Sequence, residues 1–200
     1  MKTVTGLFDN YQDAEAAVRD LEDAGIPSDD ISVVSRDSDY QDETSAAGEG
    51  ASAGAGIGAI AGGTGGLLAG LGMLAIPGVG PVVAAGWLAA TAAGAAAGAA
   101  IGGAAGGIVG ALTSAGVSED EAHVYAEGIR RGGTLVTVRT EERRIPDVEA
   151  ILDRNRWVNV TERRRAYADE GWERFDESQR PYSADEIYKE RLRYQTLGMR

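Results

Sequence analysis

From Gly50 to Ser118, sixty-nine consecutive residues contain no Asp, Glu, Lys, Arg or His, and 21 of them are Gly. Within this run Gly54, Gly58, Gly62, Gly66 and Gly70 recur at every fourth position. After an apolar stretch holding Pro77 and Pro81, a second series runs through Gly94, Gly98, Gly102, Gly106 and Gly110. Residues four apart lie along one ridge of an α-helix. Small side chains on such a ridge let two backbones approach closely. The spacing therefore predicts a helical hairpin with arms at 51–76 and 82–113, and makes these ten glycines its packing and self-association surface.

Energetics ask more of that hairpin than one partner. Each interior Gly costs about 0.8–1 kcal/mol relative to Ala, so ten carry on the order of 8–10 kcal/mol that close packing must offset. Between Ala89 and Gly107 only Ile101 is larger than Thr. A helix small on nearly every face belongs among several neighbours, which predicts a homo-oligomer. Each arm is also long enough to cross a bilayer, since about 20 apolar residues suffice. The expectation is thus a hairpin inserted in or attached to the cytoplasmic membrane, with lipid as a partner. Against it, the acidic flanks (Glu43, Glu49, Glu119, Asp120, Glu121) lack the positive charge that marks a cytoplasmic boundary. The alternative is a soluble homo-oligomeric scaffold with its hairpins buried between subunits. A flexible linker ranks third, because the four-residue spacing argues for helix packing.

Charge is concentrated outside the run. Residues 1–49 hold thirteen acids and three bases, whereas 162–200 hold nine of each, within a net charge of −12. An acidic head repels phosphate backbones, which argues against a nucleic-acid partner. The chain has no cysteine, so disulfides and thiolate metal sites are excluded. The first residues lack the apolar core of a signal peptide, which predicts that the charged parts remain in the cytoplasm.

On either side of the run, strands alternate with helices. Thr3–Phe8 reads as a strand, Asn10 as the cap of a helix carrying Ala14, Ala17, Val18 and Leu21, and Gly25 with Pro27 as its stop. Ile31–Ser35 is a second strand, followed by an acidic linker at 37–50. Past the run, Ser118 and Glu121 form the capping-box pattern of a helix at 119–131 that Gly132 and Gly133 end. Thr134–Thr140 is a third strand, Pro146 opens another helix with Val148, Ile151 and Leu152 inward, and Trp157–Thr161 reads as a fourth strand. The fold class is α+β: a ferredoxin-like βαββαβ plait, helices on one face of an antiparallel sheet, interrupted between strands 2 and 3 by the Gly/Ala hairpin. The organisation is 1–36 and 118–161 for the plait, 37–50 for the linker, 51–117 for the hairpin and 162–200 for a charged tail. In that tail Ser183 and Glu186 cap one helix, and the remainder reads as extended and solvated.

Two segments resemble a known family. Gly6-Leu-Phe-Asp-Asn-Tyr-Gln-Asp-Ala-Glu-Ala-Ala-Val18 is similar to the opening of bacterial general stress proteins of the heat-induced (YflT-type) class. The stretch Gly116–Val138, with its helix, Gly132-Gly133 and strand, resembles a later part of the same domain. The Gly/Ala insertion also resembles that of glycine-zipper stress proteins. The resemblance spans roughly 1–161 and implies a stress role. It brings no catalytic residues with it.

Chemistry-bearing motifs are scarce. Gly54-Ala-Gly56-Ile-Gly58 and Gly63-Thr-Gly-Gly66 approach phosphate-binding loops, but a dinucleotide site needs a preceding strand and an acid about 20 residues on. The next acid after them is Glu119. His123 is the lone histidine, too few for zinc, which takes about four such ligands. These observations predict a non-enzymatic protein without cofactor or metal, and leave a small-molecule sensor or enzyme as the third reading.

Overall fold

The computed structural model describes residues 1–36, 72–76, 78–88, 91 and 107–199. Strand β1 (Lys2–Phe8) leads into helix α1 (Tyr11–Asp23) and strand β2 (Ile31–Arg36). The Asn10 side chain caps α1 by accepting from the Asp13 N–H. Gly25, at φ +80°, closes the other end, with the Ile26 N–H bonded back to Leu21. That left-handed residue is the usual way a helix stops.

The middle of the charge-free run differs from the expected helical hairpin. Gly72–Ile76 and Gly80–Ala85 are strands β3 and β4, paired antiparallel from Gly72↔Ala84 to Ile76↔Gly80. Ile76, Val82 and Val83 are β-branched residues that favour strands, and between the two strands the Val79 N–H bonds back to the Ile76 carbonyl. Gly78 sits at φ +76°. Helix α2 (Gly107–Ser114) then precedes α3 (Glu119–Arg130), whose Ser118 cap accepts from the Glu121 N–H. Strand β5 (Thr134–Thr140) and helix α4 (Ile145–Arg154) follow, with Pro146 in the first turn of α4.

All strand pairs are antiparallel, in the order β1-β5-β2-β4-β3. The class is α+β as expected, but the four-stranded plan is corrected in two places. The β3–β4 hairpin extends the sheet beyond β2. The expected fourth strand at 157–161 is absent: one backbone hydrogen bond, Val158 N–H to the Leu7 carbonyl at 2.7 Å, stands in place of a ladder with β1. Asn159 instead accepts from the Thr161 and Glu162 N–H groups and starts helix α5 (Val160–Ala168). A side chain that captures the backbone in this way competes with a sheet ladder.

Helices cover both faces of the sheet rather than one. On the first face Val4, Phe8, Ile31, Val136 and Val138 pack against α1 and α4. On the second, Leu7, Val34, Leu135, Val82 and Ala84 pack against α2 and α3. Gly128 brings α3 down onto the sheet, since a Cβ there would collide with the Leu7 side chain. Finally, the tail is helical: α5 and α6 (Ala184–Thr196) lie on the outer side of α3, where Val124, Tyr167 and Tyr194 are buried together. The predicted Ser183–Glu186 capping box is formed.

No helix among the described residues is long and apolar enough to cross a membrane. This corrects the expectation of a transmembrane hairpin, and with it the membrane location and the lipid partner. Both proposed arms lose their inner ends to β3 and β4, and α2 is a helix of 8 residues.

Candidate functional site

Of the ten glycines predicted to form the packing surface, Gly54, Gly58, Gly62, Gly66, Gly70, Gly94, Gly98, Gly102 and Gly106 lie outside the described residues. Gly110 is placed in α2, half-buried. The near-miss phosphate loops also fall outside them.

The densest chemistry sits instead between α3 and the tail. Glu127, on α3, is fully buried. Its two carboxylate oxygens accept from Arg130 Nε at 2.9 Å and from Arg131 Nε at 2.6 Å. Spacings of three and four put all three residues on one side of the helix. Arg131 reaches on to Glu190 Oε1 at 2.5 Å and Glu170 Oε2 at 2.6 Å, and its guanidinium stacks 4.2 Å from the centre of the Tyr167 ring. Burial alone would weaken the Arg131 cation; the bonds from Glu127 and Glu190 reverse that and raise its pKa. Tyr194 donates to Glu190 at 2.5 Å, and Arg193 pairs with Glu170.

A second knot ties the tail to the β1–α1 turn. Arg163, 1% exposed, grips Asp9 with both terminal nitrogens at 2.6 and 2.8 Å and lies 3.6 Å over the Tyr194 ring. Desolvation disfavours this cation as well, yet the Asp9 bond carries its pKa upward. Arg191 donates to the Asp9 and Gly132 carbonyls, and Arg36 donates to the Tyr182 carbonyl at 2.6 Å. Burial raises the pKa of both Tyr167 and Tyr194, so each stays a neutral phenol. Buried charges persist only where partners replace their water, and each carboxylate named here faces at least one arginine. The arrangement clamps the C-terminal helices onto α3 and β1.

Beside the clamp, a cavity of about 690 Å³ is lined by Glu119, His123, Trp172, Arg174 and Glu177. Arg174 donates to His123 Nε2 at 3.0 Å. Burial, and then the Arg174 charge, lower the His123 pKa, so the ring is neutral near pH 7. Among the described residues, no group of three or more His, Asp or Glu is placed to hold a metal ion.

Sequence reading missed the clamp. Helical spacing in 119–131 gives one apolar stripe, Ala122, Tyr125, Ala126 and Ile129, and the tail was expected to be solvated. One signal was present: Val124 lies off that stripe, and it is buried with Tyr167 and Tyr194 on the other side of the helix.

A family model described as the heat induced stress protein YflT domain matches residues 3–75. The match begins in β1 and ends in β3, short of the 116–138 segment in which a second resemblance was expected. No curated protein and no solved structure matches the chain.

Proposed function

We propose that this chain is a non-enzymatic stress-response protein that works by binding further copies of itself, as an interaction scaffold rather than a lipid-embedded assembly. The stress role rests on the family match over 3–75. The self-association rests on one observation about the charge-free run. Among the described residues the core draws on this run for the β3–β4 hairpin, Leu88 and α2, and nine of the ten glycines at four-residue spacing lie in 51–71 and 92–106. A glycine ridge stabilises by close backbone contact, and contact between copies is the reading we favour for it. On this reading the β1-α1-β2 and β5-α4 units are the two halves of a ferredoxin-like plait, with a Gly/Ala-rich insertion between them.

Light scattering in detergent-free buffer tests this. The expected native mass is a multiple of 20.7 kDa. Gly98→Leu and Gly102→Leu are expected to lower it while the unfolding temperature of the sheet domain changes little. A wild-type protein that scatters as a single chain at tens of micromolar would overturn the proposal.

A further inference from the structure

Helix α6 is seated by its polar side. Spacings of three and four put Ile187, Glu190, Arg191 and Tyr194 on one side of the helix, the side turned to the protein. Two of those four are charged. Tyr188 and Leu192 point away and are 65% and 43% exposed, and Leu197 at the helix end is exposed as well. A helix docked by the hydrophobic effect has the opposite arrangement. What holds α6 is a set of bonds from long side chains. Arg131 reaches Glu190 Oε1 at 2.5 Å, and Arg191 donates to the Asp9 and Gly132 carbonyls. Just before the helix, Arg36 donates to the Tyr182 carbonyl, and the Tyr182 ring lies 5.3 Å from the Arg131 guanidinium. The apolar share is small: Ile187 sits on Gly132, and Tyr194 joins Val124 and Tyr167 in a cluster apart from the two that hold the sheet.

We infer that α6 is a releasable strap, lifting from α3 as a unit while the sheet stays folded, with ionic strength setting how often it lifts. Segments with few buried apolar contacts open at a lower free energy than the core. Lifting α6 exposes little apolar surface and returns Glu190, Arg191 and Arg193 to water. Salt screens charges once they are separated, with a Debye length of about 10 Å at 0.1 M and about 3 Å at 1 M, so it favours the open form. The sheet is held by apolar packing and does not share that sensitivity. The strap governs access to the outer side of α3: lifting it bares Val124 and Gly132 and leaves Arg131 without the Glu190 carboxylate. This device needs no second copy and stands apart from the self-association reading.

Native-state hydrogen exchange on the full chain tests it. In wild-type protein at low salt, α6 amides are expected to exchange faster than those of β5 but more slowly than an unstructured peptide. Raising NaCl from about 0.1 to 1 M should speed α6 exchange roughly three- to tenfold and β5 exchange by less than about twofold. Glu190→Gln removes the charge that Arg131 and Arg193 share, and is expected to speed α6 exchange about tenfold without moving β5. Leu192→Ala, on the exposed side, should change neither. The wild-type salt series stands whether or not Glu190→Gln folds. If α6 amides exchange together with those of β5, separate release is overturned. If they show no protection at low salt, the closed strap is overturned. If their rate ignores both salt and Glu190→Gln, or responds equally to Leu192→Ala, the ionic hold is overturned.

Discussion

The segment from Val160 to Met199 holds seventeen charged residues, and the run from Gly50 to Ser118 holds none. Both contribute to the interior, by opposite means. The tail buries Arg163, Tyr167, Ile187, Glu190 and Tyr194 by matching each charge to a partner before water is removed. The run contributes Ile76, Val79, Val82, Leu88, Ile108 and Leu112, which need no partner other than one another. Charge density is thus a poor guide to exposure where arginines and carboxylates can be paired in fixed geometry. An uncharged segment, conversely, is not thereby a membrane segment. What separates the two is the kind of match: the tail is held by ion pairs of fixed partners, and the described part of the run by apolar packing.

The most severe break in this contrast is expected at Glu127. Glu127→Ala leaves Arg130 and Arg131 buried without their shared carboxylate. Removing one partner of a buried ion pair costs about 3–5 kcal/mol. Urea denaturation should record a loss of that size, accompanied by easier proteolysis after Ala168. A loss below about 1 kcal/mol would mean that apolar contacts hold the tail, not the clamp, on the scale of an exposed pair.

A smaller effect is expected where the two regions meet. Gly78 turns the β3–β4 hairpin at φ +76°, and a Cβ there would stand 2.7 Å from the Glu177 Cα in the loop before α6. Gly78→Ala therefore combines a strained backbone with a backbone collision. A non-glycine residue in a sparsely populated conformation costs about 1–3 kcal/mol. Thermal unfolding of the variant checks this, and Gly25→Ala is a useful comparison. Gly25 shares the positive φ but has nothing within 4 Å of its added Cβ, so it should lose less.

The smallest effect is a pH dependence carried by the tail cavity. The His123 pKa is lowered from 6.5 by burial and by Arg174. The unfolded chain then takes up the proton before the folded one does, so stability is full above about pH 6.5 and declines as pH falls below it. Urea midpoints at pH 7.5 and 5.5 should differ more in the wild type than in His123→Asn. Equal differences would remove His123 from the account.

Local elements were legible because local chemistry decides them. Asn10, Gly25, Ser118 and the Ser183–Glu186 pair mark helix ends through bonds that span five residues or fewer, and Pro146 marks one through its fixed φ. The same rule misled at Trp157–Thr161, where alternating Trp, Val and Val suggested a strand and Asn159 acted as a cap. It misled again at 72–85, where glycine spacing around the segment outweighed its own Leu, Ile and Val content. The clamp was illegible for a different reason. Arg163 and Asp9 are 154 positions apart, and Arg131 and Glu190 are 59 apart. No periodicity connects such pairs.

The order of the chain alone determined the α+β class, the helix boundaries that caps define, and the absence of thiol chemistry. These follow from side-chain size, backbone preference and residue type, which act within a few positions. Only the folded molecule decided that helices cover both faces of the sheet, that its β1 edge is capped from within, and that the most charged segment is partly interior. Those outcomes depend on which distant groups arrive at the same place. An arginine is buried or solvated according to whether a carboxylate meets it there.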